Sequence, residues 1–137
     1  MSPSTDDGVI QPIRVLICNK YTLFREGLPA LLQQGIVIEA AAEASTAKEA
    51  LKQLARVKPD VVLLDATTPD ESSSLTVQRM KSIFPDARIL ILSLYDDDRL
   101  VNDCLAAGAT GYIRRDDSAF NLKRTINRAC GRGARGA

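Results

Sequence analysis

The sequence contains no histidine among its 137 residues. A Ser-His-Asp triad and a phosphohistidine on this chain both require an imidazole and are therefore excluded. The three cysteines, Cys18, Cys104 and Cys130, are odd in number and do not have the spacing of metal ligands. We therefore expect free thiols in a reducing cytoplasm and no zinc site.

The chain also lacks a long apolar run. No stretch approaches the roughly 18 apolar residues that are needed to span a membrane. Residues 1–11 are polar and lack the apolar centre of a signal peptide. We therefore expect a cytoplasmic protein with no membrane partner.

No glycine occurs in residues 18–22, directly after the first predicted strand. Enzymes that bind nucleotides on an open sheet commonly place a glycine-rich phosphate loop at this point. An enzyme that binds a flavin or a nucleotide is therefore a weak alternative, and we expect no enzymatic activity.

Composition and charge indicate an ordinary globular domain. Charged residues make up 26% of the sequence, and the net charge is +1. The length predicts one domain. We expect a disordered leader at residues 1–11, a folded domain at 12–130 and a flexible basic tail at 131–137. The basic residues near the end are better explained by a solvated helix face and a tail than by a nucleic-acid site.

Five short apolar segments predict buried strands, and five helical patterns alternate with them. The strands are expected at residues 13–18, 36–42, 61–64, 88–93 and 111–114, with the second at a sheet edge. Thr46 and Glu49 form a capping box at the start of one helix. This alternation predicts a doubly wound parallel sheet with five flanking helices.

A strand order of 2-1-3-4-5 would bring the ends of strands one and three together. Asn19, Lys20 and Asp65 would then share the crevice where ligands bind in open α/β sheets. Ser93 and Arg115 would lie at its rim. A carboxylate at the end of a strand is a candidate functional group, but Asp65 could equally cap a turn.

The sequence resembles the receiver domains of bacterial two-component response regulators, in particular the LuxR/NarL-type branch. The resemblance implies a flavodoxin-like fold and a place in a phosphorelay. It rests on IRVLI at 13–17, LFREGL at 23–28, PDVVLLD at 59–65, PDARIL at 85–90, YDDD at 95–98 and AGATGY at 107–112.

The resemblance implies that Asp65 is the phosphoacceptor for a partner histidine kinase. In the family, two acids after strand one, the acceptor and a backbone carbonyl hold Mg²⁺. The acid positions are Asn19 and Lys20 here, and the carbonyl would belong to Thr67. Because Mg²⁺ is usually held by carboxylates, we predict that Mg²⁺ binding is lost or weak and that there is no cofactor.

Lys20 brings a positive charge to a position where the family has a negative one. Its ammonium group could pair with Asp65 and occupy roughly the place of the metal. Alternatively, Lys20 is a loop lysine that points to water. In either case the metal would be poorly bound, so the chain resembles an atypical pseudo-receiver.

Three further positions correspond to the family's active-site and switch residues. Ser93 matches the hydroxyl at the end of strand four, Arg115 replaces a lysine after strand five, and Tyr112 matches an aromatic switch. Arginine keeps the charge of lysine but not its compact geometry. Alternatively, Ser93 has no special role, and Tyr112 is a half-buried ring at the sheet edge.

The family implies a partner-binding face. Members of the family form dimers through helix four, strand five and helix five, or through a face that includes helices one and five. The candidate residues, assigned by position, are Arg99, Leu100, Asp103, Tyr112, Arg114 and Lys123.

Three functions are compatible with these features. The first is a receiver-like module that regulates transcription without phosphorylation, with DNA bound only through an output domain that this chain lacks. In that case the chain would be a fragment of a longer regulator. The second is a stand-alone module that binds a kinase or another regulator. The third is a functional phospho-receiver that uses Asp65.

Overall fold

Five parallel strands form the centre of the molecule. The structure, a computed structural model, describes residues 13–18, 38–93, 98–114, 124–126 and 128–129. The strands lie in the order β2-β1-β3-β4-β5, so the predicted fold class and strand order are confirmed. Their bounds are β1 Ile13–Cys18, β2 Ile38–Ala44, β3 Val61–Asp65, β4 Ile89–Ser93 and β5 Gly111–Arg114.

Three complete helices lie within the described residues. They are α1 Ala47–Val57, α2 Ser73–Ile83 and α3 Asp98–Ala107. Residues 124–126 and 128–129 are also helical and belong to the last predicted helix. The first predicted helix, the proposed leader and the proposed tail fall outside the described residues. None of the described helices has both the length and the apolar character to cross a bilayer.

The central strands are buried on both faces, as their unbroken apolar runs predict. All five residues of β3 and all five of β4 are buried. Alternate residues point to opposite faces and build two cores. Below α1, α2 and α3 lie Leu16, Cys18, Val62, Leu64, Ile89 and Ile91. On the other face Ile13, Val15, Ile17, Leu63, Leu90 and Leu92 pack with Ile126.

Strand β2 is the edge strand, as predicted, but it ends later than the sequence suggested. It continues to Ala44 rather than ending at residue 42. Its register with β1 shifts between Val15, which pairs with Ala40, and Leu16, which pairs with Ala42. A run of alanines gives little alternation, so the sequence pattern could not fix where this strand ends.

Helix α1 begins at the predicted capping box. The Thr46 hydroxyl oxygen accepts a hydrogen bond from the Glu49 amide at 3.1 Å. The Glu49 carboxylate accepts in return from the amide of Ser45 at 2.8 Å, one residue before the cap. Both side chains therefore satisfy amides at the start of the helix, as a capping box does.

The other end of α1 is held by Arg14 of β1. The Arg14 guanidinium Nη1 donates to the carbonyls of Val57 at 2.8 Å and Lys58 at 3.3 Å. Its backbone amide donates to Asp60 Oδ2 at 2.8 Å. Positive side chains are favourable at a helix C-terminus, which accounts for a lone charged residue in a buried strand.

Candidate functional site

Asp65 lies at the carboxyl end of β3 and is 1% exposed. It is in register with Leu92 of β4, and the next amide, that of Ala66, donates to the Leu92 carbonyl at 2.9 Å. The carboxylate is therefore placed at the edge of the sheet by the pairing of β3 with β4. This is the edge at which open α/β sheets bind ligands.

The loop after Asp65 folds back onto its carboxylate. Asp65 Oδ1 accepts from the Thr67 amide at 3.0 Å and from the Thr67 hydroxyl at 3.4 Å. A bond from the amide two residues ahead is the pattern of an Asx turn. Oδ1 of Asp65 therefore caps a turn, as one of the two interpretations of the sequence proposed. A functional role for the Asp65 carboxylate stays a prediction.

Residues 66–72, here called the site loop, are closed by bonds within the loop. Thr67 and Ser72 form an antiparallel bridge. The Thr68 hydroxyl donates to the carbonyl of Glu71 at 2.5 Å. Ser72 then caps α2 by accepting from the Leu75 amide at 3.3 Å. The loop therefore connects Asp65 directly to the start of α2.

Asp70, in the site loop, binds the start of α1. Its Oδ1 accepts from the amide of Ala47 at 2.9 Å and its Oδ2 accepts from the amide of Lys48 at 3.0 Å. Partial desolvation raises the pKa of Asp70. Hydrogen bonds from the backbone amides of Ala47, Lys48 and Asp70 itself, together with the charge of Lys48, outweigh it, so the pKa lies below its ordinary value of 3.8.

The sequence did not identify Asp70 as part of this region. Its partners lie 22 and 23 residues away along the chain, so no local pattern reports the contact. The sole available signal was a Pro69-Asp70 pair in the loop after the candidate acceptor, and that pair reads as an ordinary turn.

Ser93 is at the same edge of the sheet as Asp65. It ends β4, is 7% exposed, and follows Leu92, the residue in register with Asp65. Neighbouring parallel strands that end together place their last side chains close to one crevice. The structure thus brings Asp65 and Ser93 to adjacent strand ends, and the role of Ser93 stays a prediction.

Four predicted site residues, Asn19, Lys20, Arg115 and Lys123, lie outside the described residues. Strand β1 ends at Cys18, which is in register with Leu64, the residue before Asp65. Asn19 and Lys20 therefore follow the strand end that is next to the end of β3. Whether Lys20 pairs with Asp65 stays a prediction. Within the described ranges, no cluster of three or more metal-binding side chains occurs.

The predicted partner-binding residues that the structure describes lie on α3 and β5. Arg99 and Asp103 are exposed, and Leu100 is half-buried against the core. Tyr112 is 43% exposed on the edge strand β5. Arg114 ends β5, and its side chain is outside what the structure describes. The exposure of Tyr112 fits both a switch residue and a half-buried ring.

Cys18 and Cys104 are buried, and neither of them forms a disulfide, as expected. Cys104 Sγ lies 3.2 Å from the Ser73 hydroxyl oxygen, which joins α3 to α2. Burial raises the pKa of the Cys104 thiol, while the bond to Ser73 acts in the opposite direction. A buried thiol with a raised pKa is unreactive, so we assign it to packing.

Comparison with known proteins identifies the type of domain. The model of the response regulator receiver domain matches residues 15–127. The DNA-binding transcriptional activator DevR/DosR of Mycobacterium tuberculosis is 31% identical over 114 residues, which cover 83% of this chain and 52% of that protein. The oxygen regulatory protein NreC of Staphylococcus epidermidis is 30% identical over 118 residues, covering 83% and 54%.

A solved structure agrees with these sequence relatives. The signal receiver domain of the response regulator assigned as NarL in Mycobacterium tuberculosis has a TM-score of 0.81 and 27% identity. The match covers 90% of this chain and 100% of that domain. The chain spans about half the length of the curated relatives that it matches.

Proposed function

The chain belongs to the response regulator receiver domain family, as a domain of the type found in NarL- and LuxR-type transcriptional regulators, and we propose that it signals without phosphoryl transfer to Asp65. One observation carries this proposal. The residues that directly follow β1 are Asn19 and Lys20, where the family has two acids.

The donor set at this edge is a poor match for Mg²⁺. The ion prefers several oxygen ligands in near-octahedral geometry and usually binds through carboxylates. Of the family's positions, Asp65 supplies a carboxylate, Asn19 one neutral oxygen and Lys20 no oxygen but a positive charge. The residues present therefore do not fit the ion, and no step is assigned to it.

Phosphoryl transfer depends on neutralising the charge of the transferred group. The Thr67 amide and hydroxyl both donate to Oδ1 of Asp65. These bonds favour the present loop conformation and support a site that does not cycle between phosphorylated and free forms.

We further propose that the domain acts through the face formed by α3 and β5. Helix α3 is the fourth of the five helices predicted from the sequence, so this face is part of the one that the resemblance implied. Arg99, Asp103 and Tyr112 are exposed there, and Leu100 adds a half-buried apolar contact. A mixture of charged residues with an aromatic residue is typical of protein interfaces.

The partner would be a second copy or another regulator, and a kinase could bind without transferring phosphate. DNA would be bound only through an output domain, and we propose no enzymatic turnover.

A titration with beryllofluoride tests the loss of the phosphoryl switch. Beryllofluoride bound to an aspartate stands in for the phosphoryl group. Mg²⁺ alone and then Mg²⁺ with beryllofluoride are added to ¹⁵N-labelled protein, and backbone amide shifts are followed by NMR. We expect no clustered shifts at Asp65, Ser93 and Tyr112.

A variant with the acids restored serves as the positive control. Asn19→Asp combined with Lys20→Asp should gain the clustered shifts, and adding Asp65→Asn to that variant should remove them again. Clustered shifts in the unaltered protein would contradict the proposal and make the functional phospho-receiver the better interpretation. No shifts in the restored variant would mean that the acid positions are not the reason for the loss.

A further inference from the structure

The carboxylate of Asp70 forms a contact between two segments that are distant in sequence. Both of its oxygens are used, one for each of the first two amides of α1. The first amides of a helix have no partner within the helix, and a carboxylate there is also favoured by the helix dipole. These two bonds are called the Asp70 clamp below.

The clamp adds to a helix start that already has its own cap. Thr46 binds the amide of Glu49, so the helix does not need Asp70 to be capped. The additional bonds to Ala47 and Lys48 instead fix the position of the segment that carries Asp70.

That segment is the site loop, and it transmits the constraint to Asp65. The Thr67–Ser72 bridge and the Thr68–Glu71 bond close the loop on either side of Asp70. Thr67, at the start of the bridge, binds Asp65 Oδ1 through its amide at 3.0 Å. A short run of hydrogen bonds therefore leads from α1 to the candidate acceptor.

We propose that Asp70 is a positioning residue for the site loop, since by binding the start of α1 it holds Thr67 where it binds Asp65. The clamp does not depend on the residues at positions 19 and 20. The beryllofluoride titration and a test of the clamp can therefore fail separately.

Amide hydrogen exchange, measured by NMR on the whole chain, tests this role. The variants are Asp70→Ala, which removes the clamp, and Thr46→Ala, which removes only the cap of α1. We expect the Thr67 amide to exchange about tenfold faster in Asp70→Ala, as for the loss of one charge-assisted hydrogen bond. In Thr46→Ala its rate relative to the amide of Leu63 in β3 should be unchanged.

Asp70→Asn is the conservative variant. It keeps one acceptor oxygen and should restore part of the protection of Thr67. If the Thr67 amide exchanges too fast to measure, the temperature dependence of its proton shift replaces the rate, and it should become steeper in Asp70→Ala alone. An unchanged Thr67 amide in Asp70→Ala would overturn the proposal. An equal change in Thr46→Ala would also overturn it, because that result indicates a general loosening of α1.

A pH titration of Asp70, followed by backbone amide shifts in NMR, offers an independent readout. Among the described residues, the charged groups on the adjoining segments are Asp65 at the end of β3, Lys48 and Glu49 on α1, and Glu71 beside Asp70 in the loop. Because the Thr67 amide also donates to Asp65, the titration is done on Asp65→Asn, which keeps an acceptor oxygen there. In that variant the amides of Ala47, Lys48 and Thr67 should shift with one shared midpoint as Asp70 is protonated. Separate midpoints for α1 and for Thr67 would contradict a link between them.

Discussion

The ends of β3 and β5 lie on the same sheet but differ in how they are bonded. Asp65, at the end of β3, is 1% exposed and leads into a loop that is closed by internal bonds and tied to α1 by Asp70. Tyr112, within β5, is 43% exposed, and Arg99 and Asp103 of α3 are also exposed. The loop after β3 is held by its own bonds, whereas β5 presents an exposed aromatic side chain.

The difference indicates which part of the domain is available for signalling. A loop that must respond to a phosphoryl group has to change its contacts when the group arrives. Contacts from Thr67 to Asp65 and from Asp70 to α1 oppose such a change. Exposed side chains on α3 and β5 can meet a partner without any rearrangement of the core. We therefore expect mutations at the two ends to separate stability from association.

The largest expected effect on stability is in β3, the strand that ends at Asp65. Leu64 is fully buried between β1 and the helices. Leu64→Ala should lower the free energy of unfolding by about 2–5 kcal/mol, because it removes apolar contacts and leaves a cavity. Urea denaturation measures the change. The unfolding free energy should depend on urea concentration with the same slope in both proteins.

Tyr112→Ala provides the comparison for that substitution. Since this ring is 43% exposed, the loss should be clearly smaller than for Leu64→Ala. Equal losses at both positions would mean that the β5 edge is as tightly packed as β3. The contrast between the tightly packed strand β3 and the exposed edge strand β5 would then be wrong.

The second effect concerns the Asp70 clamp and its pH dependence. At neutral pH Asp70→Ala should cost about 1 kcal/mol, which is typical for the loss of a capping side chain. Because the pKa of Asp70 is lowered in the folded state, its contribution is fully present above its ordinary value of 3.8. It is lost as the pH falls below that value through the lower, folded pKa.

Unfolding curves at several pH values therefore distinguish Asp70 from an ordinary cap. The stability difference between the unaltered protein and Asp70→Ala should be constant from pH 5 to 8, as the sign of the shift requires, and should shrink in more acidic solution. Thr46→Ala, which removes an uncharged cap, should give a difference without this acid dependence. A difference for Asp70 that grows on acidification would contradict the hydrogen-bond geometry.

The sequence predicted the sheet better than it predicted the contacts at its edge. Strands β1, β3 and β4 could be located to within one residue because each has an apolar run with a clear end, as at Asp65 and Ser93. The capping box at Thr46 and Glu49 was also correct, because it depends on residues three apart. These features are local, and local patterns are what a single sequence records.

Features that depend on distant partners could not be predicted in this way. The clamp joins Asp70 to amides 22 and 23 residues away. On α2, Thr76 is fully buried because its hydroxyl donates to Glu71 at 2.6 Å, while Leu75 and Ile83 of the same helix are 37% and 48% exposed. Hydrophobicity alone would have ranked these three residues in the opposite order.

The smallest effect on stability is expected on the open face, where the effect on association should be largest. Arg99→Glu reverses an exposed charge on α3, and Lys52→Glu does the same in the middle of α1. Both should change stability by less than about 0.5 kcal/mol, as exposed substitutions usually do. If α3 and β5 form the partner face, only Arg99→Glu should weaken self-association in sedimentation velocity, by about tenfold, the ratio that corresponds to about 1.4 kcal/mol. A chain that stays monomeric at every concentration would mean that the partner is not a second copy, and an equal response to both variants would place the self-association face elsewhere.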